Sequence, residues 1–149
     1  MAITFHNEQT PFMIKGRREV ARWIRATVEK EGFSVGEIAV IFTSDDYLLD
    51  MNRKYLGHDY PTDIITFDYW DVFEPKALSG DLFISVAAVE ANARDFDAKM
   101  GDELLRVIIH GVLHLCGHKD ESGTERKAMR AREEHYLSLF TGNLDCGEL

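Results

Sequence analysis

The sequence predicts a domain of the α/β (α+β) class, built from four strands and five helices. Strand-like and helix-like segments alternate through the first two thirds of the chain, and helical patterns alone follow. The 149 residues are 45% hydrophobic and 29% charged, which is ordinary for one globular domain. No internal repeat, low-complexity segment or Pro/Gly-rich linker divides the chain. We therefore expect residues 1–149 to form a single domain.

The first half of the chain contains two predicted strands and two predicted helices. Residues 3–5 are a candidate first strand. Residues 15–31 carry apolar side chains at helical spacing, and the glycine that follows them is a typical helix stop. Residues 37–43 alternate and are rich in β-branched side chains, which predicts a strand. Ser44 and the two aspartates after it form an N-cap and an acidic first turn, so a helix should run to about residue 55.

The second half contains two predicted strands and three predicted helices. Residues 64–69 and 80–85 are typical of strands and follow polar, turn-rich loops. A serine caps a predicted helix over residues 86–99, and a glycine ends the next one, over residues 102–116. A Ser-x-x-Glu capping box begins the last predicted helix, over residues 122–140.

Composition and charge exclude several classes of protein. The longest apolar run, residues 107–116, is too short for a membrane span, and the N-terminus lacks the pattern of a secretory signal. Two cysteines, Cys116 and Cys146, make no disulfide framework and fit a reduced, cytoplasmic setting. The formal net charge of −9 argues against coating nucleic acid by bulk electrostatics. Any contact with nucleic acid must therefore be local.

Two clusters of basic residues are candidates for a local contact. Such clusters ordinarily form the solvated face of a helix, and that is the expectation for both. Their members are Lys15, Arg17, Arg18, Arg22 and Arg25 in the first, and Arg126, Lys127, Arg130 and Arg132 in the second.

The residues with the clearest chemical potential lie in HGVLHLCGHKD, residues 110–120. His110 and His114 are four residues apart, so a helix projects both imidazoles from one face and lets them share a metal ion. Gly117 allows a left-handed turn out of the helix, after which Asp120 can swing back over the two imidazoles. Two imidazoles, a carboxylate and an open fourth position describe a catalytic Zn²⁺ site.

The third ligand and the class of hydrolase need separate arguments. His118 is the alternative third ligand, but Asp120 has the register of the third ligand in metzincin-type proteases. Those proteases carry a general-base glutamate directly after the first histidine, where this chain has Gly111, so peptide hydrolysis is disfavoured. A helical glycine costs about 1 kcal/mol relative to alanine, which suggests that another element approaches the helix closely. The same ligands also tolerate nickel, cobalt or iron.

The motif resembles the signature of the YbeY endoribonuclease family of rRNA maturation factors, usually written HGxLHLxGYDH. Asn52 stands at the position of that family's Leu-Asn pair, and the similarity extends over about residues 37–137. Three further stretches are similar in order and spacing: PTDIITFDY at 61–69 to PTDVLSFP, GDLFIS at 80–85 to GDI-x-I-S, and MRAREE at 129–134 to an M-x2-x-E-E helix.

The resemblance implies an α/β/α domain around a small mixed sheet, with one zinc ion at the end of a cleft. It also implies a cytoplasmic, metal-dependent endonuclease that cleaves single-stranded RNA in 16S rRNA 3′-end maturation and ribosome quality control. Ribosomal RNA and the small ribosomal subunit are the implied partners; no membrane is involved, and no oligomeric state is predicted. His110 and His114 correspond to family ligands, the family's third histidine falls at Asp120, and its tyrosine falls at His118. An arginine that the family often places before the loop aligns with Leu56.

Further residues are candidates for catalysis of phosphodiester cleavage by hydrolysis or transesterification. A metal ion would polarise a phosphoryl oxygen and acidify water. Arg53 or Lys54, with His58 as a further possibility, would offset the charge that develops on the phosphorane-like state. Asp63 could be a carboxylate that orients a metal ligand, and it fits a turn or strand cap equally well.

Two other functions stay open at this point: a zinc peptidase-like hydrolase, and a non-catalytic ribosome-assembly module with a structural metal. Three protein ligands instead of four favour an open, catalytic position. Aromatic residues near residue 70 could stack RNA bases or could form the buried face of a strand. These aromatic residues are Phe67, Tyr69, Trp70 and Phe73.

Overall fold

The structure, a computed structural model, describes residues 2–69, 74 and 76–142. The predicted α/β class is confirmed, and all nine predicted elements are present in the described residues. The strands are β1 (Ala2–Glu8), β2 (Ser34–Thr43), β3 (Ile64–Asp68) and β4 (Ala77–Ser85). The helices are α1 (Arg17–Lys30), α2 (Asp45–Leu56), α3 (Val86–Asp95), α4 (Met100–Leu115) and α5 (Gly123–Ser138). None of the described helices has the length and apolar character needed to cross a membrane.

The four strands form one mixed sheet in the order β1-β2-β4-β3. β1 pairs with β2 and β2 with β4 in parallel, whereas β3 is an antiparallel edge strand against β4. The central strands are the most buried, as expected of parallel strands covered on both faces. Trp70, Phe73 and Cys146 lie outside the described residues.

Alternation along the strands divides the sheet into two faces. On one face, Val40 and Leu82 lie side by side and are fully buried beneath α1 and α4. On the other face, Phe83 stacks with Tyr47 of α2. The helix with the histidine pair and the helix with Arg53 therefore lie on opposite faces of the sheet.

α4 is the central helix of the fold, and its residues are buried almost all round. One side packs on the sheet, and α5 covers the outer side with Met129, Glu133 and Tyr136. This packing leaves only a narrow strip of α4 accessible, and His110 and His114 lie on that strip, each about one quarter exposed.

The expected close approach at Gly111 is confirmed. A Cβ atom there would lie 2.6 Å from Ile64 Cδ1 and 3.0 Å from Leu82 Cδ2. Because position 111 faces the sheet, a glutamate there would be directed into strand side chains. This agrees with the argument against a zincin-type general base.

We expect Gly111→Ala to lower the free energy of unfolding by about 1 kcal/mol, because overpacking at about 1–3 kcal/mol outweighs a helix-propensity gain of about 1 kcal/mol. The matched control is Gly123→Ala in α5, where the nearest atom to an added Cβ is 3.9 Å away. That control should be neutral or slightly stabilising. Urea titration of both variants measures the difference, and equal effects would contradict the packing argument.

Candidate metal centre

The two histidines of α4 lie one turn apart on the accessible strip of the helix. The distance between His110 Nε2 and His114 Nε2 is 3.0 Å, and the two rings are nearly perpendicular at 81°. Four-residue spacing on a regular helix accounts for this arrangement, because it stacks side chains along one face. The helix alone therefore supplies two nitrogen donors that point to a common position.

The chain reverses after α4 through a Schellman motif. Gly117 has φ +100°, in the left-handed region that favours glycine. Its N–H donates to the carbonyl of His114 (3.0 Å), and the N–H of His118 donates to the carbonyl of Leu113 (3.1 Å). These bonds end the helix within one residue and send the following segment back across its last turn.

This reversal brings Asp120 to the histidine pair. Asp120 Oδ2 lies 3.2 Å from His110 Nε2 and 3.4 Å from His114 Nε2. Four tetrahedral ligands at the bond lengths usual for Zn²⁺ are about 3.3 Å apart, so the three separations fit such an ion. Among the described residues, this is the one group of three acidic, histidine or cysteine side chains close enough to share an ion.

His118, the alternative third ligand, is directed away from this cluster. Its Nε2 is hydrogen-bonded to the carboxylate of Glu31, the residue that ends α1. The second carboxylate oxygen of Glu31 accepts from the hydroxyl of Tyr136 on α5. Burial alone would raise the pKa of Glu31, but the hydrogen bonds of His118 and Tyr136 hold it below its ordinary value. The turn that carries Asp120 is thus attached to α1 and α5.

We expect Glu31→Ala to weaken zinc binding by about tenfold, because the His118 side of the turn loses its anchor and Asp120 is held less firmly. The matched control is Glu29→Ala, an exposed residue on the same helix. Competition against a chromophoric zinc chelator measures both dissociation constants. Equal constants for Glu31→Ala and the control would show that the anchor does not position Asp120.

Glu133 on α5 is a site residue that the sequence argument did not identify. Its Oε2 lies 2.7 Å from His110 Nδ1, and the residue is buried. A carboxylate can only accept, so His110 Nδ1 carries the proton and Nε2 is free to face Asp120. Burial alone would lower the pKa of His110, but the hydrogen bond and charge of Glu133 raise it above its ordinary value. Arg106 Nη1, 3.2 Å away, balances the charge of Glu133.

The sequence did contain one signal for Glu133. Met129, Glu133 and Tyr136 follow helical spacing, so the carboxylate lies on the core-facing stripe of α5. Acidic residues are almost never fully buried without a partner. A glutamate on a core-facing stripe therefore signals a buried partner.

Asp63 lies in the same cavity as His110. This cavity has a volume of about 720 Å³ and opens between α3, α4 and α5. Asp63 Oδ2 accepts from the amide of Asn92 (3.1 Å), and burial raises the Asp63 pKa although His110 partly offsets it. Its carbonyl accepts from the N–H of Ser85 (2.9 Å), so the residue also joins β3 to β4. This placement is compatible with both predicted roles of Asp63, as a carboxylate that orients a metal ligand and as a cap of the turn before β3.

Arg53 and Lys54 do not line the His110 cavity. Arg53 forms an ion pair with Asp59. Lys54 lines a second cavity, of about 420 Å³, with Tyr69 and other aromatic side chains on the α2 side of the sheet. Leu56, which aligns with the family arginine, is exposed at the end of α2. A catalytic role for Arg53 or Lys54 stays a prediction.

Different cations line the His110 cavity. One of them is Arg106, which forms ion pairs with Glu133 and Glu134. The others belong to the second basic cluster of the sequence, which was expected to be only a solvated helix face: Arg126, Lys127 and Arg130. They are exposed, but at the mouth of this cavity.

Comparison with known proteins supports the motif-based resemblance. A family model described as Endoribonuclease YbeY matches residues 2–141. Endoribonuclease YbeY of Bacteroides thetaiotaomicron is 47% identical over 139 residues, which cover 93% of this chain and 99% of that protein. Its counterpart in Cytophaga hutchinsonii is 45% identical over 137 residues, 92% of this chain and 94% of that one. A solution structure of a Thermotoga maritima protein is similar with a TM-score of 0.62 and 31% identity, covering 92% of this chain and 87% of that chain.

Proposed function

The chain belongs to the YbeY endoribonuclease family, and from this we propose that it is a metal-dependent endonuclease for single-stranded RNA that acts in 16S rRNA 3′-end maturation. The observation that carries the proposal is the His110, His114 and Asp120 cluster, which opens onto a cavity large enough for part of an RNA strand. The proposed substrate is the ribosomal RNA of the small subunit.

We propose that His110, His114 and Asp120 hold one zinc-type ion. When bound, such an ion polarises a phosphoryl oxygen and makes water a stronger acid. The protein residues prepare the site. Glu133 keeps the proton on His110 Nδ1, and Asn92 holds the Asp63 carboxylate inside the cavity that His110 lines, where it can help to orient the metal ligands.

Cations near the cleavage site would offset the charge that develops on the phosphate. Arg53 and Lys54 lie outside the His110 cavity, so in this proposal they contact phosphates further along the strand. The peptidase alternative gains no support, because position 111 packs on the sheet and carries no carboxylate.

The test compares purified, zinc-loaded protein on a single-stranded RNA and on a duplex of the same sequence, with and without a chelator. We expect cleavage of the single strand only, and only with metal. In cells that carry His110→Ala, sequencing of 16S rRNA ends should reveal extended 3′ ends. Intact RNA in the first experiment would refute the nuclease, and unchanged 3′ ends in the second would refute the maturation role.

A further inference from the structure

Phe96 is the most exposed of the large hydrophobic side chains in the described residues, at 66%. Single exposed apolar residues are common on protein surfaces. Phe96 differs because it lines the cavity that contains His110 and Asp120, on the wall formed by the end of α3. An aromatic ring with no polar atom is thus presented to the space beside the candidate metal site.

The backbone holds Phe96 firmly in this position. α3 ends in a Schellman motif in which Asp97, at φ 51°, takes the left-handed conformation. The N–H of Ala98 donates to the carbonyl of Ala93 (2.8 Å), and the N–H of Phe96 donates to the carbonyl of Asn92 (3.0 Å). Asn92 also donates to Asp63 through its side chain, so the turn that presents Phe96 is linked to a second residue of the cavity.

The opposite wall of the cavity is basic. Arg126, Lys127 and Arg130 project from the first turns of α5 and are exposed. Arg126 is steadied by a hydrogen bond from its Nη1 to the carbonyl of Glu121 (2.7 Å). Lys127 forms no ion pair with any residue that the structure describes. In a chain with a net charge of −9, this wall is a local reversal of sign.

The acidic residues of the cavity are arranged differently from the basic ones. Glu103 and Glu133 are buried, and Asp63 and Asp120 are half-buried. Negative charge therefore lies deep, around the candidate metal ligands, while positive charge lies at the rim, where a polyanion would meet it first. This layout suits a ligand whose phosphates stay at the rim while one linkage approaches the cluster.

We propose that Phe96 is a platform on which one base of the RNA strand stacks, and that Arg126, Lys127 and Arg130 hold phosphates of the same strand. The inference rests on the proposed function and adds the residues that select single-stranded RNA. An aromatic platform beside a basic groove is the arrangement by which proteins bind unpaired strands. Base faces are covered in a duplex, so a paired substrate gains nothing from Phe96.

The test measures fluorescence anisotropy of a labelled 2′-O-methyl RNA single strand, checked for integrity on a gel, with zinc-loaded protein. Phe96→Ala should weaken binding of this strand by about tenfold, and Phe96→Trp should keep it within about twofold of the unchanged protein. Binding of a matched duplex should change little with either variant. The control is Met13→Ala, another exposed large hydrophobic residue, which lines neither the His110 cavity nor the cavity that contains Lys54.

A second series tests the basic wall by salt dependence. The binding constant falls as salt rises, and each lost phosphate contact makes this dependence less steep. Its slope, log binding constant against log salt concentration, should become less negative by about 0.7 in each of three variants: Arg126→Gln, Lys127→Gln and Arg130→Gln. Arg18→Gln on α1 is the matched control and should leave the slope unchanged.

The outcomes separate this inference from the proposed function. If the unchanged protein cleaves single-stranded RNA and Phe96→Ala binds it equally well, the inference is overturned and the nuclease stands. Equal losses for single strand and duplex would also overturn it. If the unchanged protein neither binds nor cleaves RNA, both fail together.

Discussion

His114→Ala is expected to lower RNA cleavage by about three orders of magnitude while the protein stays folded. His114 Nε2 is one of three donors in the cluster, 3.0 Å from His110 Nε2 and 3.4 Å from Asp120 Oδ2. With two donors left, the ion is lost, together with several kcal/mol of charge stabilisation at the reacting phosphate. Each 1.36 kcal/mol corresponds to a factor of ten in rate. Gel assays of cleavage and elemental analysis of the purified variant measure the two effects.

The fold should survive this substitution. Within the described residues, the polar partners of the His114 ring belong to the cluster itself, so its removal leaves no other buried group unpaired. The control is His6→Ala, an exposed histidine on the edge strand β1, which should keep both metal and activity. Unfolding of His114→Ala in a urea titration would favour a structural metal and the non-catalytic assembly module. Full activity without metal would remove the metal site from the mechanism.

The features that local sequence could predict are those made within one helix or one turn. The histidine pair follows from four-residue spacing, and the reversal of the chain before Asp120 follows from the left-handed residue at Gly117. The predicted N-caps at Ser44 and Ser85 are present, each accepting a backbone N–H. Such features depend on short-range geometry, which the order of residue types largely determines.

The contacts that sequence did not predict join residues far apart in the chain. Glu133 reaches His110 across 23 positions, and Glu31 reaches His118 across 87. These pairs arise from the packing of α5 and α1 on α4, which no local pattern encodes. The capping box of α5, by contrast, is predictable from Ser122 and Glu125, because both of its hydrogen bonds are local.

Element boundaries show the same limit. β2 and β4 begin three residues earlier than predicted, at Ser34 and Ala77, because these two residues pair with each other in the sheet. α3 was expected to reach residue 99 and ends at Asp95, because Asp97 takes a left-handed conformation that glycine more commonly adopts. Strand pairing and a non-glycine C-terminal turn both depend on tertiary context.

Glu133→Gln is expected to weaken zinc binding by about 10- to 100-fold, the usual effect of losing the partner that orients a metal-binding histidine. Glutamine has nearly the shape of glutamate but no charge, so the charge-assisted hydrogen bond that fixes the Nδ1 proton of His110 becomes a weaker, neutral one. Arg106 keeps only its ion pair with the exposed Glu134. Because a half-buried guanidinium then lacks one partner, the free energy of unfolding should also fall by about 1–3 kcal/mol.

The neighbouring residue supplies a strict comparison. Glu134→Gln removes the same charge from the same helix and also breaks an ion pair with Arg106, but it does not touch His110. If Glu133 acts by orienting His110, only Glu133→Gln should raise the zinc dissociation constant, whereas both variants lose part of the Arg106 interaction. Equal zinc affinities in the two variants would mean that the helix alone orients the imidazole. In that case the metal site would depend on α4 and its turn, and α5 would contribute only packing.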